Sequence, residues 1–124
     1  MRCDDKTLAP DSALVQWCEL TVKAAANGGR PVFPTSEYKS YLRDAGFEDI
    51  VETVRVWPTN RWPKDPRHKE IGAWCLANLD VGVEGITIGH FTRNLGWTID
   101  EVLTFCARLR KELRDPKIHA YFPM

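Results

Sequence analysis

The strongest pattern in the sequence is an apolar stripe near its carboxyl end that specifies an amphipathic helix. Apolar residues recur at three- or four-residue intervals from Ile99 to Leu113, which is the spacing of one helix face. Thr98 and Glu101 stand at the start with the spacing of a capping box, in which each side chain bonds the other's free backbone N–H. A chain with such a helix must bury the stripe against further helices or a sheet.

Caps, glycines and prolines predict the other helices. The helices are predicted from an N-cap at Asp11 or Ser12 to about residue 27, and over residues 35–45, 67–79, 86–95 and 99–114. Gly82, Gly85 and Gly89 interrupt the pattern after the third predicted helix. The predicted inner faces include Tyr38, Tyr41 and Leu42 in the second helix, and Ile71, Trp74, Cys75 and Leu79 in the third.

Two segments favour strands. Residues 47–57 are rich in β-branched and aromatic side chains, and residues 118–122 form a shorter candidate. Three prolines make residues 58–66 a rigid loop. Two strands alone are marginal in water, so helices must cover them. We therefore predict an α+β fold of about five helices around a short antiparallel β pair, with residues 1–10 as an extended segment and residues 11–124 as a single domain.

Charge and cysteine usage exclude several classes of function. The 17 basic and 17 acidic residues balance to a formal net charge of zero, which argues against nucleic acid or an anionic membrane surface as partner. No stretch of the sequence approaches the ~20 apolar residues of a membrane span. The four cysteines form no C-x-x-C pair, so we expect reduced thiols, no metal site and a cytoplasmic protein.

Several segments, in order, resemble the carboxyl-terminal part of fungal LaeA-like methyltransferases, which are class I enzymes that use S-adenosylmethionine. They are DSALVQW (residues 11–17), GRP (29–31), LRDAGF (42–47), WPTNRWPKDP (57–66), KEIG (69–72), FTRNLGW (91–97), RKEL (110–113) and IHAY (118–121). The resemblance covers almost the whole chain. It implies that this stretch supplies the last two strands of the family's sheet and a helical insertion that helps cover the substrate.

The resemblance also implies a missing feature. The family's cofactor half, which carries a glycine-rich turn after its first strand, lies upstream of the matched stretch. No two of the eight glycines here are separated by one residue, so no G-x-G fingerprint exists. We therefore expect no cofactor on this chain, and methyl transfer by the chain alone is not expected, because fold kinship does not confer function without the site.

Aromatic side chains are the first candidates for a binding site. Trp57 and Trp62 flank the proline-rich loop with Asn60 between them, and could form a preformed wall for a flat ligand that Asn60 orients. The alternative is that both rings complete a small core. Trp74 is a further substrate-binding candidate, although its position also fits core packing.

Titratable side chains are candidates for proton transfer. His119 and Tyr121 alternate along the last predicted strand, so they share one face and could act as an acid–base pair. His90 stands near Arg93 in the fourth predicted helix, where Arg93 could contact a ligand. The alternative is a solvated or hydrogen-bonded structural role for each of them.

These residues support three hypotheses. The first is an enzyme that acts without S-adenosylmethionine on a small-molecule intermediate of fungal secondary metabolism, by cyclisation, isomerisation or dehydration. A cavity lined by Trp57, Trp62, His90 and Tyr121 would favour it. The second is a non-catalytic binding subunit that partners a full-length methyltransferase or another enzyme of the same gene cluster. The third is residual methyltransferase function. We also expect a homodimer or a partner protein to cover the apolar face that the missing half would leave.

Overall fold

The computed structural model describes all 124 residues and has four α-helices and a two-stranded antiparallel sheet. The elements in chain order are α1 (Ala13–Asn27), a 3-10 turn (Thr35–Glu37), α2 (Tyr38–Asp44), β1 (Val56–Pro58), α3 (Pro66–Leu95), α4 (Ile99–Leu113) and β2 (Tyr121–Pro123). The α+β class is as predicted, but the helix count is four rather than about five.

The first and last helices begin where their capping signals predict. Ser12 Oγ accepts the backbone N–H of Val15 at the start of α1. Both halves of the capping box at Thr98 and Glu101 are present at the start of α4. Glu112, near the end of α4, accepts the first two backbone N–H groups of α1 at 3.0 and 2.9 Å. One carboxylate therefore caps α1 and ties it to α4.

The third and fourth predicted helices are one continuous helix of 30 residues, α3. The prediction of a break at Gly82, Gly85 and Gly89 was wrong. A helical glycine costs about 1 kcal/mol relative to alanine, but α3 packs against both α1 and α4. Glu84 also pairs with Arg110 of α4, and Asp80 pairs with Arg114, the residue after α4. These tertiary contacts outweigh the local preference of the glycines.

One side of α3 lacks cover. Trp74 is 72% exposed and Val81 82% exposed. By length and composition α3 could span a membrane. An 18-residue window of this helix has a mean hydropathy of 1.2, and 17% of the window is buried. The expectation that the sequence holds no such stretch was therefore too strong. One helix of this kind is weak evidence, because core helices of soluble proteins can pass the same test.

The core lies where α1, α3 and α4 meet. Its buried residues are Ala13, Leu14, Trp17, Ala24, Val83, Phe91, Val102, Phe105, Cys106, Leu109 and Leu113. Trp17 Nε1 donates to Thr87 Oγ1 at 2.9 Å inside this core, so the buried indole N–H is satisfied. The half-buried Trp97 packs edge-on against Phe91 and Phe105. All four cysteines are free thiols.

The sheet is shorter than predicted. Trp57 pairs with Phe122, and only three residues of each strand take part. Arg2 forms an isolated antiparallel bridge to Tyr121. Residues 47–55, predicted as strand, are irregular, and Val51 there is 88% exposed. β-branched side chains favour a strand only where a neighbouring strand offers them a packed surface.

Helix α2 packs only on the turn that precedes it. Tyr38, Tyr41 and Leu42, the predicted inner face, are 52%, 45% and 41% exposed. That prediction was wrong because the chain brings no other element against this short helix. The ring of Tyr41 instead lies edge-on to the exposed Phe33.

Candidate functional site

An apolar groove lies between the first half of α3 and the strand pair. It has a volume of about 460 Å³, within the size range of small-molecule sites. Its lining residues are Trp57, Ile71, Trp74, Cys75, Asn78, Leu79, Phe122 and Met124. A second depression of about 420 Å³ beside Gln16 and Arg108 is lined mostly by polar and charged side chains. Apolar lining makes the first the better candidate.

A close approach between α3 and the proline-rich loop sets the shape of the groove. Asp65 caps α3 through the backbone N–H of His68, and Pro66 follows at the first helical position. Gly72 is buried so close to the loop that a Cβ there would lie 1.9 Å from the carbonyl oxygen of Asn60. Glycine at this position therefore brings β1, with Trp57, near the helix that carries Trp74.

The two predicted ligand-binding tryptophans within the groove are open to solvent. Trp57 is 46% exposed and Trp74 72% exposed. The interpretation of Trp74 as a core residue was therefore wrong.

The groove also lacks a group that ionises at neutral pH in its lining side chains. Burial raises the pKa of the Cys75 thiol, so this thiol stays protonated at neutral pH. No charged side chain lines the groove, so it offers no ready group for proton transfer.

Asn60 and Trp62 hold the loop in place instead of facing the groove. The buried Asn60 amide donates to the carbonyl oxygens of Asp115 and Ile118, at 3.0 and 3.3 Å, and accepts the backbone N–H of Trp62. Trp62 Nε1 donates to the Ala120 carbonyl oxygen at 3.0 Å. The Asn60 amide is thus occupied by backbone, and both side chains anchor the loop to the segment before β2.

His119 sits in a separate polar cluster at the amino-terminal segment. Its Nδ1 is hydrogen-bonded to Asp5, and its ring stacks on Trp62 with centroids 4.9 Å apart. Its backbone N–H donates to Thr7 Oγ1. The hydrogen bond from His119 holds the pKa of Asp5 well below its usual range. An imidazole that a carboxylate orients in this way is chemically competent for proton transfer.

Tyr121 reaches the same amino-terminal segment as His119. Its hydroxyl donates to both oxygens of Asp4, at 3.1 and 3.0 Å. That hydrogen bond to the carboxylate raises the pKa of Tyr121, which makes the phenol a weaker acid. Both side chains thus contact the amino-terminal segment, but His119 precedes β2 and neither side chain lines the groove.

The remaining candidates, His90 and Arg93, lie far along α3. His90 is 11 residues beyond Leu79, the last helical residue of the groove, or about 16 Å along the helix axis. The predicted set of Trp57, Trp62, His90 and Tyr121 does not line one cavity. No group of three or more His, Cys, Asp or Glu side chains is arranged to hold a metal ion.

Comparison with known proteins supplies the family. The chain is 34% identical to probable methyltransferase tdiE of Emericella nidulans, covering 98% of the chain and 38% of tdiE. It is 40% identical to secondary metabolism regulator LAE1 of Cochliobolus heterostrophus, covering 97% and 39%. It is 36% identical to methyltransferase pytC of Aspergillus terreus, covering 98% and 38%. The chain corresponds to part of a LaeA-like methyltransferase.

This LaeA-like segment spans well under half the length of the relatives it matches. No family model and no solved structure matches it. The sequence resemblance is confirmed by these relatives, which are named as methyltransferases or as a regulator of secondary metabolism. Their activities belong to proteins far longer than the part described here.

The residues of this LaeA-like segment do not fit S-adenosylmethionine, the cofactor that the family implies. The one connection from a strand into a helix, residues 59–65 between β1 and α3, contains no glycine. Gly82, Gly85 and Gly89 lie inside α3, where helical hydrogen bonds occupy the backbone. The strand–turn–helix context that a cofactor turn needs is absent from these residues.

Sequence reasoning missed three of the eight groove residues and both of the carboxylates that contact His119 and Tyr121. Asn78, Phe122 and Met124 were not singled out, and neither Asp4 nor Asp5 was linked to the last strand. One signal was available, because Trp74 and Asn78 are four residues apart and so share a helix face. No sequence signal brings the amino-terminal segment beside β2, since that contact joins the two ends of the chain.

Proposed function

We propose that this LaeA-like segment is a binding lobe that holds an apolar small-molecule substrate of fungal secondary metabolism in the groove between α3 and the strand pair. The observation that carries the proposal is the groove itself, about 460 Å³ with seven apolar residues among its eight. Ligand pockets are typically apolar with a few polar groups that orient the ligand. The name of one relative, secondary metabolism regulator LAE1, supports the metabolic context.

The two indoles are expected to provide much of the affinity. Trp62 and Trp97 pack on rings of the protein itself, whereas Trp57 and Trp74 keep large exposed surfaces at the groove. An aromatic pair is worth about 0.5–1.5 kcal/mol beyond the burial of its area. Loss of either indole should therefore weaken binding of a flat ligand by at least about threefold.

Equilibrium titration with Nile red, a neutral and planar apolar dye, tests the proposal. Trp57→Ala and Trp74→Ala should each weaken binding to the purified 124-residue chain by at least about threefold. Val81→Ala is the matched control, because Val81 is on α3 and exposed but outside the groove. Equal affinity of all variants, or no binding by the unaltered chain, would remove the support for a binding lobe.

A second candidate function is conversion of a substrate without S-adenosylmethionine, by cyclisation, isomerisation or dehydration. The hydrogen-bonded pair of His119 and Asp5 favours it, because an oriented imidazole can transfer protons near neutral pH. Neither His119 nor Asp5 lines the groove, which counts against it. Mass spectrometry of fungal metabolite extracts incubated with the chain tests it, and His119→Gln should abolish any conversion.

A third candidate is a non-catalytic subunit whose exposed α3 face docks on a second copy or a longer methyltransferase. The exposure of Trp74, Val81 and Ile86 along this helix favours it, since large exposed apolar patches mark interaction sites. Light scattering after size-exclusion chromatography tests the homodimer. A monomer that also fails to co-purify with a full-length LaeA-like methyltransferase would contradict this candidate.

A further inference from the structure

We infer that the groove selects an uncharged, flat aromatic ligand that carries adjacent hydrogen-bond donor and acceptor atoms on one edge, with Asn78 as the residue that pairs with that edge. This inference rests on the proposed binding function and specifies its ligand class. It follows from three properties of the lining: its aromatic walls, its single amide and its lack of charged side chains.

The walls favour a flat ring system. Trp57 enters the groove from β1 and Trp74 from α3, so the two indoles approach it from different elements. Neither is packed against another aromatic ring, in contrast to Trp62 and Trp97. An aromatic ligand can therefore use indole faces or edges that no protein ring occupies, and it gains the geometry that aromatic pairs prefer.

Asn78 is the one lining side chain with a strong donor and a strong acceptor. The asparagine side chains that hydrogen-bond to backbone are Asn27 and Asn60, so the Asn78 amide is free to bind a ligand. An amide pairs best with a group that also donates and accepts at neighbouring atoms, such as a lactam. The other polar group, the Cys75 thiol, is only a weak donor.

The lack of charged side chains in the lining disfavours ionised ligands. A carboxylate or ammonium that enters an apolar groove loses hydration, and no lining side chain carries a compensating charge. Of the acidic residues of α3 that flank the lining, Asp80 is paired with Arg114, and the exposed Glu70 lies outside the lining. A charged ligand should therefore bind much more weakly than a neutral ligand of the same shape.

Isothermal titration of the 124-residue chain with three bicyclic probes tests the inference. The probes are 2-quinolone, which has a lactam edge, naphthalene, which has none, and 2-naphthoate, which is charged. We expect 2-quinolone to bind about tenfold more tightly than naphthalene, consistent with one net hydrogen bond. We expect 2-naphthoate to bind at least about tenfold more weakly than 2-quinolone.

The variant Asn78→Leu separates this inference from the proposed function. Asn78 is exposed, so the variant should fold, and circular dichroism checks that it does. It should remove the preference for 2-quinolone while naphthalene still binds. Val22→Ala, at an exposed position of α1 outside the groove, should change neither. If 2-quinolone and naphthalene bind equally, or 2-naphthoate binds most tightly, the inference is overturned but the groove remains a binding site. If no probe binds, both proposals fall.

Discussion

Replacing Gly72 with alanine is expected to destabilise the fold, although alanine is ordinarily the better helix former. A Cβ at this position would lie 1.9 Å from the carbonyl oxygen of Asn60, 2.7 Å from its carbonyl carbon and 3.3 Å from Pro58 Cβ. The first two are backbone atoms, which cannot rotate away as a flexible side chain does. The loop before α3 must therefore shift, and the hydrogen bonds of Asn60 must stretch with it.

The magnitude follows from two opposing effects. Alanine gains about 1 kcal/mol over glycine in a helix, whereas overpacking a tight contact costs about 1–3 kcal/mol or more. With the cost at about 3 kcal/mol, the net loss is about 2 kcal/mol. For a chain of this size that lowers the midpoint of thermal unfolding by about 8 °C.

The matched control is Gly85→Ala in the same helix. A Cβ at Gly85 meets nothing within 4 Å, so this variant should gain up to about 1 kcal/mol. Urea unfolding followed by circular dichroism measures both free energies. The two substitutions should move stability in opposite directions. Equal stabilisation by both would show that α3 does not approach the loop as closely as described, and the shape of the groove would lose its cause.

Three further substitutions test contacts between the helices. Thr87→Val removes the acceptor of the buried Trp17 N–H and should cost about 1–3 kcal/mol in urea unfolding; unchanged stability would contradict that bond. Glu112→Ala removes the acceptor of two backbone N–H groups of α1 and should cost about 1–2 kcal/mol by the same measurement. Hydrogen bonds from Arg114 lower the pKa of Asp80 from 3.8, so their stabilising effect is present at neutral pH and is lost as acid protonates the carboxylate. The stability difference from Asp80→Asn should thus shrink as the pH falls below about 4, and a difference independent of pH would contradict it.

Local signals predicted the ends of α1 and α4 correctly because each cap is made within a few residues of the chain. Ser12 bonds to a residue three positions ahead, and Thr98 does the same within its capping box. The sequence holds both partners of such a contact at a fixed spacing. Gly96, which ends α3 in a left-handed conformation, is another signal of this kind.

Predictions that needed a distant partner were less accurate. Residues 47–55 had the composition of a strand, but the chain supplies backbone partners only from Arg55 onward, at Arg55 itself and in β1. Conversely, the glycines of α3 predicted a break, but α3 packs on α1 and α4, and Glu84 and Asp80 pair with Arg110 and Arg114 about 30 residues later. In both cases the deciding contact lies outside the window in which local propensity acts.

The candidate site shows the same division between local and distant information. Periodicity placed Ile71, Trp74 and Cys75 on one face of a helix, which is correct, and assigned that face to the core, which is wrong for Trp74. Spacing defines which residues share a face, but burial depends on how much of the chain is available to cover it. Helix α3 has 30 residues, whereas α1 and α4 have 15 each. Neither of the shorter helices alone can therefore cover α3 from end to end. The uncovered part begins where β1 meets the helix, and that junction borders the apolar groove.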